Sequence, residues 1–311
     1  MTALICGSMA FDTIMVFEDR FKNHILPDQV HILNVSFLVP TLRREFGGCA
    51  GNIAYNLNLL GGDGRPMATV GRDFGPYADW MDKTGVSRES LKELADDYTA
   101  QAYITTDQDD NQITAFHPGA MNQSHLNRVS DEVGVTIGIV SPDGRRGMID
   151  HATQFVEAGI PFIFDPGQGM PMFDGGDLNR FLEQATWLTL NDYEFQLFSE
   201  RTGKNAEVIA NEVDGLVVTR GGEGSIIYTN SKEINIPVAK IDKLKDPTGC
   251  GDAYRSGLLY GLMNNMGWET SGRLAAIMGA CKIEVNGTQN HAPTRDEIAE
   301  RFLDNFNYQP W

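Results

Sequence analysis

The stretch Asp246-Pro247-Thr248-Gly249-Cys250-Gly251-Asp252 joins two glycines, a small residue between them and a carboxylate. Glycines lack a Cβ, so successive backbone N–H groups there can face a ligand. Directly afterwards Leu258, Leu259, Leu262 and Met263 recur at helical spacing within Ala253 to Met263. A helix N-terminus carries unsatisfied donors and about half a positive charge, which makes the loop a site for an anion. Asp252 would repel a phosphate if binding were the only task. It suits a base that takes a proton from a hydroxyl while the amides of residues 249–252 hold the charge growing on a phosphoryl group. The competing reading makes this a shaped loop with Asp252 as a helix cap, and a lone GxGD does not separate the two.

Other stretches supply the remaining parts of such a site. Ala3 to Cys6 is a short apolar strand running into Gly7-Ser8-Met9-Ala10-Phe11-Asp12. Ligands in open α/β sheets sit at the carboxyl ends of strands, so Asp12 is placed to accept hydrogen bonds from a diol such as a ribose. Phe46-Gly47-Gly48-Cys49-Ala50-Gly51-Asn52 leads into a helix carrying Ile53, Leu57 and Leu60 and ending at Gly61-Gly62. Gly47 and Gly48 allow close backbone approach, and Asn52 offers a donor and an acceptor from the first turn; helix–sheet packing could demand the same glycines. Asn191 and Glu194 can organise hydrated Mg²⁺ and phosphate oxygens, although an NxxE also spells a capping box. Thr219-Arg220-Gly221-Gly222-Glu223-Gly224 is either a plain hairpin or a turn that approaches nucleotide phosphates, with Thr219 as donor and Arg220 as counter-charge. No GxxxxGK[ST] occurs, which excludes a P-loop, and no GxGxxG follows a strand, which disfavours a dinucleotide fold.

The elements that must position these residues follow a βα rhythm. Strands are expected at Met67 to Gly71, Val135 to Val140, Pro161 to Asp165, Thr186 to Leu190, Gly215 to Thr219 and Ser225 to Thr229. Helices are expected at Tyr77 to Lys83 and near 147–158, 178–184 and 193–201. Alternation of this kind predicts a doubly wound, mostly parallel central sheet flanked by helices. Gln29 to Val39 alternates in places, and Tyr98 to Thr105 and Gln112 to Phe116 read as strands joined by the turn at 107–111. Together they predict a small β-sheet apart from the main one, a flap over the site or merely an edge hairpin.

A chain of 311 residues, 41% hydrophobic and 22% charged, can bury a large core. Its net charge of −17 argues against nucleic acid and anionic membrane as partners, and no apolar run is long enough to span a bilayer. Cys6, Cys49, Cys250 and Cys281 are scattered without a CxxC, and the histidines form no HExxH. Reduced, cytoplasmic thiols are the expectation, without zinc and without a disulfide frame.

Taken in order, Gly7-Ser8…Asp12, Gly47-Gly48…Asn52, Asn191…Glu194, Thr219…Gly224 and Asp246 to Asp252 resemble the motifs of the PfkB, or ribokinase-like, kinases across nearly the whole chain. The resemblance implies one ribokinase-like α/β domain over 1–311, with a lid from inserted segments near 12–46 and 97–118. It implies Asp252 as base, the backbone of Gly249, Cys250, Gly251 and Asp252 as anion hole, and Ser8, Asp12, Gly47, Gly48 and Asn52 around the acceptor's hydroxyls. It places Asn191, Glu194, Thr219 to Gly224, and Gly287 to His291 (Gly287 and Asn290 above all) around ATP, with Mg²⁺ near Glu194 through water. Cys250 departs from the alanine usual in the family. The wording of 46–52 and of 116–121 is similar to that of bacterial adenosine or nucleoside kinases, with Phe37 and Phe116 as candidates to stack on a purine. The implied activity is ATP-dependent phosphorylation of a nucleoside 5′-hydroxyl, adenosine foremost. A ribokinase- or fructokinase-type sugar kinase, or a broader nucleoside kinase, is the alternative. K⁺ activation and pairing of two copies through the lid are left open.

Overall fold

The computed structural model describes residues 1–25, 32, 34–109, 111–229 and 232–311. Strands β1 (Thr2–Cys6), β2 (Ala10–Val16) and β3 (Thr41–Gly47) precede helix α1 (Cys49–Leu59), strand β4 (Asp63–Gly71) and helix α2 (Gly75–Thr84). Three strands follow, β5 (Leu91–Leu94), β6 (Ala100–Thr106) and β7 (Gln112–His117). The chain then alternates through β8 (Val135–Val140), α3 (Arg145–Ala158), β9 (Phe162–Phe164), α4 (Gly175–Gln184), β10 (Trp187–Asn191), α5 (Asp192–Thr202), α6 (Ala206–Ala210) and β11 (Gly215–Thr219). A hairpin, β12 (Ser225–Tyr228) and β13 (Glu233–Ile236), leads to α7 (Cys250–Met263), α8 (Trp268–Ile283) and α9 (Arg295–Phe306).

The larger sheet has nine strands in the order β13-β12-β11-β10-β9-β8-β1-β4-β5. It is parallel except at the β11–β12 and β12–β13 pairings. Strand β1 shows why it needs helices on both faces. Ala3 and Ile5 point into one core, built with α1, α7, α8 and α9, while Leu4 and Cys6 point into the other, built with α3, α4 and α5. A strand buried on both sides reads as a continuous apolar run, as β1 does. Strand order reverses at β1, flanked by β4 on one side and β8 on the other, so the crevice for a ligand opens at the carboxyl ends there.

The smaller, separate sheet runs β3-β2-β6-β7. Its register puts Glu45, Asp12, Ala102 and Phe116 in one row across four strands, hence on one face. On the other face Phe11 and Phe46 pack at a tilt against Tyr77 of α2, with centroid separations of 5.7 and 4.8 Å. The sheet thus has one face covered by Tyr77 and an opposite face that carries the row of Asp12.

Three expectations are corrected. Gln29, Val30, His31 and Leu33 of the expected strand at 29–39 lie outside the described residues, as does Asp110 of the turn at 107–111, and 34–40 form no strand; the strand lies at Thr41–Gly47. Phe37 instead packs into an aromatic cluster, 4.8 Å from Phe17 and 5.1 Å from Phe21 between centroids. Asp12 stands within strand β2, not in a loop at the end of β1. Helices α8 and α9 were not anticipated, because small residues (Gly272, Ala275, Gly279) blur the apolar stripe of α8.

Candidate active site

Gly249 caps α7 at φ +79°, in the left-handed region where a side chain would be strained. The Cys250 N–H donates to Pro247 O at 3.1 Å, so the loop closes on itself there. Gly251 and Asp252 follow in the first turn, where N–H groups have no intrahelical acceptor. Of the amides anticipated as an anion hole over 249–252, Cys250 N is thus committed to the turn. Asp246 clamps the loop from below: one carboxylate oxygen accepts from Thr248 N and the other from Gly287 N, both at 2.9 Å.

Asn52 donates through Nδ2 to Asp252 Oδ2 at 2.8 Å. Its Oδ1 accepts from Gln289 Nε2 at 3.0 Å, and Gln289 also donates to Tyr77 Oη and accepts from Trp80 Nε1. This chain fixes which way the Asn52 amide faces, and so aims a donor at the carboxylate. Burial pushes the Asp252 carboxyl up to about 6, against the opposing pull of Asn52 and Arg255. The outcome is a carboxyl whose charge changes close to neutral pH. Three residues along α7, Arg255 makes a bidentate pair with Asp165 (2.9 and 2.8 Å) and approaches Glu194 Oε2 at 3.9 Å.

The residues expected around the acceptor gather at the same mouth. Ser8 Oγ accepts from Cys49 N at 3.2 Å, bringing the turn after β1 against the start of α1. Gly48 lies at φ +86°, and a Cβ there would meet Ser8 O at 2.5 Å. Asp12 borders Gly47, where a Cβ would come within 2.6 Å of its Oδ2. Burial, then Glu45 opposite and Asp246, raise the Asp12 carboxyl to about 6. Phe116 is 49% exposed on edge strand β7, in the row of Asp12. Phe37 is not brought here. Its partner Phe17 follows the end of β2, five residues and about 17 Å of strand beyond Asp12.

The residues expected around the nucleotide divide. Asn191 and Thr219 are register partners at the carboxyl ends of β10 and β11. Asn191 and Glu194 form a full capping box, with Glu194 N donating to Asn191 Oδ1 (2.7 Å) and Asn191 N to Glu194 Oε2 (2.8 Å). Glu194 nonetheless faces the Arg255–Asp165 pair, and burial raises its pKa. Thr219–Gly224 is indeed the turn of an antiparallel hairpin, and Ser225 just beyond it bonds Tyr254 Oη of α7 at 2.7 Å. Gly221 and Gly222 face open space. Arg220 turns back to Glu223 O, at 3.2 Å, and is not held out as a counter-charge. Gly287 N is held by Asp246, while Asn290 donates to Glu45 Oε2 at 2.7 Å and so ties its loop to β3.

Asp165, Arg255, Tyr77 and Glu45 were not singled out from sequence, and Gln289, inside the stretch 287–291 expected around ATP, instead bonds Asn52. Two left a signal: Asp165 ends a strand in the βα series, and Arg255 stands at i+3 from Asp252 on one helix. Gln289 and Tyr77 meet Asn52 only through tertiary contact. Among the described residues, no group of three or more His, Cys, Asp or Glu is placed to hold a metal, and no helix is long and apolar enough to cross a membrane.

The family model for pfkB family carbohydrate kinases matches residues 13–295. A nucleoside kinase of Methanocaldococcus jannaschii is 31% identical over 276 residues, spanning 86% of this chain and 89% of the relative. The nucleoside kinase of Burkholderia thailandensis, solved in complex with inosine, superposes with a TM-score of 0.91 at 53% identity over 99% of both chains. The same enzyme solved in complex with ADP-inosine gives 0.89 at 55%, covering 99% of this chain and 97% of that one.

Proposed function

Because the chain belongs to the pfkB family of carbohydrate kinases and is an ATP-dependent phosphotransferase acting on a hydroxyl, we propose that its acceptor is a purine nucleoside, phosphorylated at the ribose 5′-oxygen. The observation that carries the chemistry is Asp252, buried, aimed by Asn52 and set at the start of α7 beside unpartnered amides. Asp252 takes the 5′-hydroxyl proton as that oxygen attacks the γ-phosphorus. The bond to the β,γ-bridging oxygen breaks, and ADP leaves with the electron pair. The Gly251 and Asp252 amides meet the negative charge on the transferring group.

The small sheet supports this acceptor class. Phe116 lies two strands, about 10 Å, from Asp12 in one row. A ribose bound by Asp12 would present its base to that ring, whereas a free sugar would leave the ring idle. Inosine, bound by the Burkholderia relative, supports a broad purine set that includes adenosine, the acceptor foremost in the sequence reading. The small sheet would act as a lid, excluding water from the γ-phosphate. Mg²⁺ would arrive with the nucleotide: Glu194 engages Asn191 through one oxygen and keeps the other, and this ion needs few protein carboxylates. Four free cysteines suit a reducing cytoplasm.

ADP release measured with ATP, Mg²⁺ and, in turn, inosine, guanosine, adenosine, ribose and fructose tests this. Purine nucleosides should exceed both sugars in kcat/KM; a preference for ribose or fructose refutes the acceptor class.

A further inference from the structure

Lys282 is wholly buried, at 0% exposure, in the last turn of α8. Its ammonium donates to Asp246 O at 2.7 Å and to Val285 O at 3.1 Å. Both acceptors are neutral carbonyls, one on the loop that leads into α7 and the other on the turn before Gly287. The charged groups that face it are Asp246, Glu45 and Arg43, with the Cys250 thiol beside them. No side-chain ion pair neutralises it among the described residues.

Burying an ammonium without a paired anion is costly, and a methionine of similar length would fill the same space without that cost. The charge therefore has work at this place. Two features say what it is. Asp246 N and Lys245 N both donate to Ile283 O, so the loop already rests on the end of α8, and the ammonium locks the opposite, carbonyl side. Its positive charge also stands under the segment whose amides face the phosphoryl group, where low dielectric leaves it poorly screened.

We propose that Lys282 is a positioning residue that serves as a built-in monovalent cation, holding the 246–251 loop against the 284–287 turn so that the amides stay aimed at the transferring phosphoryl group. This rests on the kinase reading above. A consequence is that phosphorylation needs no added monovalent cation.

The test begins with the unsubstituted protein, whose ATP-dependent phosphorylation of inosine checks the kinase reading by itself. Replacing K⁺ by tetramethylammonium in that assay should leave kcat unchanged. Lys282→Met should lower kcat about 10²-fold, as loss of alignment does, with the inosine KM within about threefold. In Lys282→Ala, ammonium or methylammonium should restore at least about tenfold of the lost kcat saturably, and tetramethylammonium should not. Inosine binding by calorimetry shows that each variant is folded. Near-parental turnover in Lys282→Met overturns the proposal. So does a folded Lys282→Ala that no amine rescues, or a parent enzyme that requires added K⁺. Should both variants fail to fold, the cation exchange on the parent still decides it.

Discussion

On the proposed function, Asp252 is the base, and it stands in a place where folding disfavours its charge. Burial moves its carboxyl from an ordinary 3.8 to about 6. The native state thus holds that proton more tightly than the unfolded chain. Stability is then highest below about pH 4, falls as pH rises toward 6, and carries the full cost above that. The displacement corresponds to about 3 kcal/mol. Asp252→Asn keeps the shape and can still accept from Asn52 Nδ2, but never ionises. It should be about 3 kcal/mol more stable than the parent at pH 8, and within about 1 kcal/mol of it at pH 4. Its kcat should fall roughly 10²–10⁴-fold, the scale for loss of a general base. Urea unfolding at the two pH values, with turnover on inosine at pH 8, reads both quantities. A variant equally destabilised at both pH values would show that Asp252 is not strained by its surroundings. One that turns over nearly as fast as the parent would remove it from proton transfer.

Asp252 and Asp12 both lie near 6, and in their proposed roles both act ionised, so kcat/KM should drop below pH 6 with a slope approaching two. Asp12→Asn should reduce that slope toward one in a profile from pH 4.5 to 8. Arg255→Met strands Asp165 and Glu194 in the interior and should destabilise by about 3–5 kcal/mol in urea, while a double variant with Asp165→Asn should recover part of the loss. Gln289→Leu frees the Asn52 amide and should lower kcat/KM about tenfold, and, because Asn52 Oδ1 and Trp80 Nε1 lose their partner, should also destabilise by about 1–3 kcal/mol in urea. Phe116→Ala should raise the inosine KM about tenfold and leave any activity on ribose unaltered.

What the sequence disclosed was set by distance along the chain. The loop at 246–252 and the helix after it are contiguous, so glycine placement and apolar spacing carried both. The strands at 135–140 and 215–219 are apolar runs buried on both faces, which leaves little ambiguity. Strand β2 was hidden because it follows β1 after a short turn and belongs to another sheet, a switch that no local pattern marks. The stretch around Phe37 alternates like a strand, yet its aromatic ring is satisfied by Phe17 and Phe21 rather than by a ladder. Asn191 and Glu194 show a different limit: cap and candidate ligand are spelled alike, and the structure has them cap α5 while Glu194 also faces Arg255. Gln289 reaches Asn52 across 237 residues of sequence, beyond anything periodicity can register.

The two carboxylates near the acceptor belong to different bodies of the fold. Asp252 rides on α7 above the large sheet, whereas Asp12 rides on β2 of the small one. The seams between them include hydrogen bonds from Tyr77 to Gly47 O, Thr288 to Phe46 O, Asn290 to Glu45 and Gln101 to Asp73. Under the proposed function, recognition and reaction are therefore written on separate pages of the molecule. Substitutions on the exposed row of β6 and β7 would then retune which compound is admitted, while the machinery proposed to break the phosphate bond stays as it is.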